Sequence, residues 1–272
     1  MKEPSIAVLF ITLNEEYHIG SAIDNVKDIA SEIWVIDSGS TDRTVEIAES
    51  KGAKVVYHKF ENFGAQWNFA LSLPIEAAWT MKMDPDERLR SELKAEIMQE
   101  AIVQDAISGF EFDRILWFMG KPMRGWKDRV VRIWRTGKCH FTDVIVNEHP
   151  LIDGKVKFLK GRMDHLDSKN LCNWIEKQNK YTSQVAEARI RNVEYAASPR
   201  LLGSRLERHM WVKRLYLSLP MRHLARFVYI YFAKKLWREG LTGWHCALMR
   251  VWVGRCVDAK IIEMKNLKMK TR

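Results

Sequence analysis

The stretch Trp79-Thr80-Met81-Lys82-Met83-Asp84-Pro85-Asp86-Glu87 is an apolar run that breaks into three acids around a proline. Side chains two apart on an extended segment point the same way, so Asp84 and Asp86 can aim two hard oxygen ligands at one place. Pro85 fixes its own φ and biases the preceding residue toward extended geometry, which stiffens the pair. Mg²⁺ or Mn²⁺ held by one or two carboxylates keeps part of its water shell and takes other ligands from phosphates. The competing reading is that Asp86 caps a following helix, since Asp is a favoured N-cap.

Working outward, Ser5 to Thr12 (SIAVLFIT) is a second apolar run, ending in Asn14, Glu15 and Glu16, and Glu32 to Asp37 (EIWVID) is a third, ending in Ser38 to Asp42. Runs apolar on both faces fit a parallel sheet buried between helices. Between them Ile19, Ala22, Ile23 and Val26 recur at helical spacing, and Thr44 to Lys51 closes with Gly52, a helix stop. Lys54 to His58, a helix reading over Ala65 to Leu73 and the strand into Asp84 complete a βαβαβαβ order. In such α/β sheets ligands sit outside the carboxyl ends of the strands, and all three polar clusters fall on that edge.

Four motifs carry a resemblance: Ile11 to Glu15 (ITLNE), Val35 to Thr44 (VIDSGSTDRT), Gly64 to Asn68 (GAQWN) and Met83 to Glu87 (MDPDE). In order and spacing they resemble the signatures of family 2 glycosyltransferases with a GT-A fold, and among these the branch that builds lipopolysaccharide cores and related bacterial surface glycans. Arg129 to Gly137, Val146 to His149 and a basic aromatic tail extend the resemblance over nearly the whole chain.

The resemblance implies a nucleotide-sugar donor, favouring UDP, a Mg²⁺ or Mn²⁺ cofactor and a glycan or lipid-linked acceptor. It puts Asp37 where a carboxylate reads the nucleotide base, with Thr12, Asn14 and Glu15 lining the same pocket; Asn14 and Thr41 are also competent helix caps. It makes Asp86 the metal ligand and Asp84 the contact to ribose or metal-bound phosphate, while Glu87 faces solvent or a basic neighbour. Gly64 and Asn68 open a helix near the sugar pocket, although Gly64 also suits an ordinary turn. Gln66 stands where many relatives carry a basic residue.

Inverting transfer needs a base for the acceptor hydroxyl, on a segment other than the one that holds the metal. The transition state has oxocarbenium character, so that base faces the departing diphosphate across the sugar. Glu148, after the alternating segment Phe141 to Asn147, resembles the family's acidic position; Asp143 and His149 are its neighbours in competition. His165 can complete the metal shell or serve as a structural histidine at a strand end.

At 272 residues and 47% hydrophobic content the chain can bury a large core. The expected organisation is a GT-A α/β catalytic domain over residues 1–165 and a helical, basic, aromatic-rich region over 166–272. Four scattered cysteines without a CxxC pair point to a reducing compartment rather than a zinc or disulfide framework, and the N-terminal apolar run reads as a strand rather than a secretory signal. Residues 1–165 hold 22 basic against 26 acidic side chains, and residues 166–272 hold 22 against 8. Basic residues interleaved with Trp, Tyr and Phe suit an amphipathic surface on anionic headgroups, and charges interrupt every run long enough to span a bilayer.

The expectation is therefore a cytoplasmic protein, peripheral on the inner face of the membrane. Part of the aromatic stripe packs against a core, and nucleic acid is set aside because no binding module accompanies the charge. A nucleotidyltransferase acting on sugar phosphates shares the sheet and acids but opens with a glycine-rich phosphate loop, where this chain has Thr12-Leu13-Asn14-Glu15-Glu16. A non-catalytic nucleotide-sugar-binding protein is the other alternative.

Overall fold

The computed structural model describes residues 4–103, 106–142, 148–191 and 195–270. Contacts divide the chain into one unit of Met1–Pro122, Lys127–Phe141 and Pro150–Lys169 and a second of Met123–Trp126, Thr142–His149 and Asn170–Arg272.

In the first unit the apolar runs become β1 (Ile6–Thr12), β2 (Glu32–Asp37), β3 (Lys54–Tyr57) and β4 (Trp79–Met83), separated by α1 (Ile19–Val26), α2 (Thr44–Ser50) and α3 (Phe63–Leu71). Then follow β5 (Glu87–Leu89), α4 (Ser91–Val103), β6 (Ile107–Phe118), β7 (Lys121–Arg135), the small hairpin strands β8 (Cys139–Phe141) and β9 (Pro150–Ile152), and β10 (Lys155–His165). Eight strands form one sheet in the order β3-β2-β1-β4-β7-β6-β10-β5. Strands β3, β2, β1 and β4 pair in parallel, as do β6 and β10, while β7 and β5 run against their neighbours. This is the mostly parallel, helix-flanked α/β sheet expected of a GT-A domain.

Alternation along β1 explains why the sheet is apolar on both faces. Val8 and Phe10 join Ile19 and Ile23 of α1 and Leu93 and Ile97 of α4 in one core. Leu9 turns the other way, into a core with Ile36, Trp67 and Ala70 of α3, Trp134 of β7 and Phe141. Trp67 is fully buried, and truncating such a ring costs about 3–5 kcal/mol. The β6–β7 hairpin turns at Met119 (φ 50°) and Gly120 (φ 73°), the two positive φ values of the tight turn that matches strand twist. Where β10 bulges, Glu96 of α4 accepts the displaced amides of Lys160 and Gly161 at 3.0 and 2.8 Å.

The second unit is mainly helical, as its periodicity predicts, with α5 (Leu171–Ile190), α6 (Arg205–Ser218), α7 (Arg222–Val228), a π turn (Tyr229–Ala233), a 3₁₀ turn (Leu236–Glu239) and α8 (Gly240–Lys270). The helical path from α7 is broken before the 3₁₀ turn, because Lys235 takes the left-handed conformation at φ 56°, which no α-helix of L-residues tolerates. Lys260 of α8 fastens α5, donating to Asn179 Oδ1, Thr182 Oγ1 and Ser183 Oγ at 2.7, 2.9 and 2.8 Å. Asp258 fastens α7, accepting from Arg222 Nη2 and meeting His223 Nε2, each at 2.6 Å. Gly125 has no room for a side chain: a Cβ there would stand 1.8 Å from the carbonyl oxygen of Lys234.

Candidate metal and nucleotide site

The first two strands end in cross-linked loops. Asp37, at the tip of β2, accepts at Oδ1 from Thr12 Oγ1 (2.9 Å) and Ser40 Oγ (2.5 Å), and at Oδ2 from the Gly39 and Ser40 amides (2.9 and 2.8 Å). Four donors match the roughly four lone-pair directions of a carboxylate. Gly39 makes this turn possible with φ 95°, a value glycine adopts without steric cost. Asn14 is itself left-handed, at φ 58°; its amide donates to Ser40 Oγ at 2.8 Å and its side chain accepts the Thr41 amide at 2.8 Å. The Glu15 amide donates to Thr44 Oγ1 at 2.7 Å. Asn14 and Thr41 cap no helix, since α1 and α2 begin after His18 and Arg43; they tie one loop to the other.

The third cluster corrects the extended reading of the acids. The strand stops at Met83, and Asp84-Pro85-Asp86-Glu87 is a turn closed by the Glu87 amide on the Asp84 carbonyl at 2.9 Å, with Pro85 at the second position that proline favours. The alternation that would aim Asp84 and Asp86 at one point does not run through it, so the two acids take different partners. Asp86 caps no helix either, because β5 follows it and α4 starts at Ser91.

Asp84 meets Arg132 Nη2 of β7 through Oδ2 at 2.8 Å. Burial pushes the Asp84 carboxyl upward, but the positive charges of Arg132, Lys82 and Arg114 outweigh burial and the nearby Asp86 and hold it below the usual range. Glu87 does not face solvent: it is fully buried, accepts the Asp84 amide at 3.0 Å and Arg114 Nη1 at 3.0 Å, and pairs with Arg132. Arg88 tightens the same turn, donating to the Pro85 carbonyl at 2.7 Å and to the His18 carbonyl at 3.1 Å.

Asp86 is buried, and its Oδ2 lies 3.4 Å from Nε2 of His165, the last residue of β10. Asp167, two residues further on and also buried, completes a group whose ligand atoms all lie within 4.8 Å of one another. The chain folds this way because β5 pairs with the end of β10, His165 opposite Glu87, and the Leu166 amide donates to the Asp86 carbonyl at 2.8 Å. Asp167 sits at φ 61°, a conformation Asp tolerates better than most residues. Two carboxylates and an imidazole converging on one point fit a divalent cation.

Asn68 and Gly64, the two residues expected near the sugar, both lie on α3. Asn68 clamps Phe141 in both directions, donating to its carbonyl at 3.0 Å and accepting its amide at 2.8 Å. Gly64 lies buried in the first turn of α3, whose N-cap Asn62 accepts the Ala65 amide at Oδ1 at 2.8 Å. Gln66, fully buried, meets His58 Nδ1 at 2.7 Å and donates to Ser38 Oγ at 3.1 Å. Lys82, two residues before Asp84, is buried with its ammonium 4.4 Å from the centre of the Trp67 ring and 5.2 Å from that of Phe141.

Glu148 lies half-buried in the second unit. Beside it the His149 amide donates to Thr142 Oγ1 at 2.9 Å and the Thr142 amide to the His149 carbonyl at 3.1 Å, pinching the ends of the loop. Asp143 and the segment 143–147 lie outside the described residues. Sequence reasoning missed Asp167, Arg132, Arg114 and Lys82. Of these only Asp167 carried a signal, a second acid two places beyond a candidate histidine ligand.

Residues 7–145 match the family model described as glycosyl transferase family 2. The lipopolysaccharide core biosynthesis glycosyltransferase LpsC of Rhizobium meliloti is 27% identical over 273 residues, covering 97% of this chain and 94% of its own. An uncharacterized glycosyltransferase of Rickettsia conorii is 30% identical over 196 residues, 67% of this chain and 69% of its own. Among solved structures, glucosyl-3-phosphoglycerate synthase from Mycobacterium tuberculosis in complex with Mn²⁺, UDP and phosphoglyceric acid aligns at 23% identity and a TM-score of 0.36, over 41% of this chain and 43% of that one.

Proposed function

The chain belongs to glycosyl transferase family 2, and on that premise we propose a metal-dependent inverting transfer of a hexose or heptose-like sugar. The donor is a nucleoside diphosphate sugar, UDP in preference, and the acceptor a lipopolysaccharide-core or other lipid-linked glycan. The observation that carries this reading is the meeting of Asp86, His165 and Asp167 beside the turn that ends β4, where an α/β sheet binds its ligands.

Asp86, His165 and Asp167 would hold the cation, and Asp84 would contact the ribose or the metal-bound phosphate. The positive charge these residues would hold there would supply neutralisation of the departing diphosphate, and a nitrogen among the oxygens suits Mn²⁺ better than Mg²⁺. Glu148 would take the acceptor proton as that oxygen bonds to the anomeric carbon and the bond to the diphosphate oxygen breaks. General base help of this kind is worth ~10²–10⁴-fold.

The β1 and β2 loops, with Thr12, Asn14, Glu15 and Asp37, would receive the nucleoside. For Asp37 to accept from a uracil imide, the hydroxyl of Thr12 or Ser40 has to give up its bond. Gly64 and Asn68 would act behind the sugar pocket, through packing and the Phe141 clamp. The basic second unit favours a place on the cytoplasmic face of an anionic membrane, and no helix among the described residues is long and apolar enough to cross one.

Thermal shift with UDP, GDP and their sugars, with and without Mn²⁺, tests the donor half. Stabilisation by UDP or a UDP-sugar that requires the metal is the expected result. A protein that no nucleoside diphosphate stabilises in either condition refutes the reading.

A further inference from the structure

The helices of the second unit turn apolar stripes outward. On α7 and the π turn, Leu224, Val228 and Phe232 follow at four-residue spacing and are 53%, 47% and 58% exposed. On α8, Leu241, Leu248 and Trp252 repeat at helical intervals and are 79%, 41% and 38% exposed. Trp244 joins the two stripes, its ring 5.2 Å from Phe227 and 5.3 Å from Tyr231, both edge-on. Scattered exposed apolar residues need no explanation, whereas contiguous stripes mark an interaction surface.

We propose that these stripes form a face that lies in the plane of an anionic lipid bilayer, with the aliphatic and aromatic side chains entering the headgroup boundary. The inference deepens the membrane-side placement of the proposed transfer and rests on it. Charge complementarity selects this partner. Residues 166–272 carry 22 basic against 8 acidic side chains, and the turn linking the stripes exposes Lys235 and Arg238, the latter stacked 5.1 Å from the ring centre of the half-exposed Trp237. A cation leaning on an interfacial tryptophan beside an aliphatic stripe is the pattern of a helix resting on anionic headgroups. Single-stranded nucleic acid is the poorer fit, because bases stack on aromatic and guanidinium planes and gain little from leucine and valine.

Flotation of the full chain on density gradients tests the proposal, with vesicles of phosphatidylcholine alone and of phosphatidylcholine and phosphatidylglycerol in equal parts. Wild type is expected to float with the anionic vesicles at low salt and to lose most of that binding on neutral ones. The triple variant Leu224→Glu, Val228→Glu, Phe232→Glu is expected to stay at the bottom while keeping its far-ultraviolet circular dichroism. If it does not fold, Lys235→Glu with Arg238→Glu, at exposed positions, gives the same readout and is expected to reduce flotation several-fold. Wild type remaining at the bottom, or variants floating like wild type, overturns the proposal. So does a lipid-free wild-type dimer that the triple variant converts to monomer, since the face then belongs to a second copy. Donor hydrolysis measured alongside separates the two readings: hydrolysis without flotation rejects docking alone, and flotation without hydrolysis rejects transfer alone.

Discussion

Arg132, on the antiparallel strand β7, donates from Nη2 to Asp84 Oδ2 at 2.8 Å. The same guanidinium pairs with the buried Glu87, so one side chain grips the acids on both sides of Asp86. Glu87 in turn accepts the Asp84 amide and Arg114. The turn that presents the candidate metal ligand is therefore braced from the neighbouring strands.

Removing Arg132 leaves the buried Glu87 paired with Arg114 but without its partner from β7. Breaking a buried pair costs about 3–5 kcal/mol, so Arg132→Met should lower the unfolding free energy by that order in urea titrations. A loss under about 1 kcal/mol, the scale of an exposed pair, would mean that the brace is dispensable.

Asp167 tests the metal site without touching the DPDE turn. Outer partners of metal ligands are worth ~10–100-fold in affinity, so loss of a direct ligand should cost at least that. Asp167→Asn is expected to raise the Mn²⁺ concentration giving half-maximal nucleotide-dependent thermal shift by this factor. His165→Ala, which removes the nitrogen ligand, should narrow the preference for Mn²⁺ over Mg²⁺.

Glu148→Gln keeps the shape and loses the basic oxygen. Turnover should fall by ~10²–10⁴-fold while the Mn²⁺-dependent thermal shift with UDP is unchanged. An unaltered rate would falsify the assignment of the base.

Asp258 gives the second unit a pH dependence. Burial tends to raise its carboxyl, but the bonds from Arg222 and His223 outweigh this and hold it below the ordinary value of 3.8. A lowered carboxyl stabilises fully above the ordinary value and loses that stabilisation as pH falls through the lowered one. Amide exchange in α7 should therefore rise on acidification through that range, and Asp258→Asn should remove this component of the change.

The order of β1 to β4 and their helices was legible because each strand is a short apolar run bounded by polar residues, a pattern that local sequence carries in full. The turn at Asp84 was not. A proline after an apolar strand is equally compatible with continued extension and with the second position of a turn, and the choice fell to Glu87, whose burial depends on arginines 27 and 45 positions away. Asp167 escaped notice because its convergence with Asp86 depends on the pairing of β5 with β10, a contact distant in sequence. Arg132 reads in the sequence as one of several basic residues in an alternating strand. The tail's helices were visible in their periodicity, whereas the break at Lys235 is a single left-handed residue with no glycine or proline to announce it.

The turn after β2 is fastened by four hydrogen bonds to one carboxylate and by a left-handed glycine. Its conformational entropy is lost during folding and is not charged again on association. If the proposed nucleoside site is right, its ligand would meet a turn already held by these bonds, so capture should be governed by diffusion and desolvation rather than by loop closure, with little change in backbone order on binding.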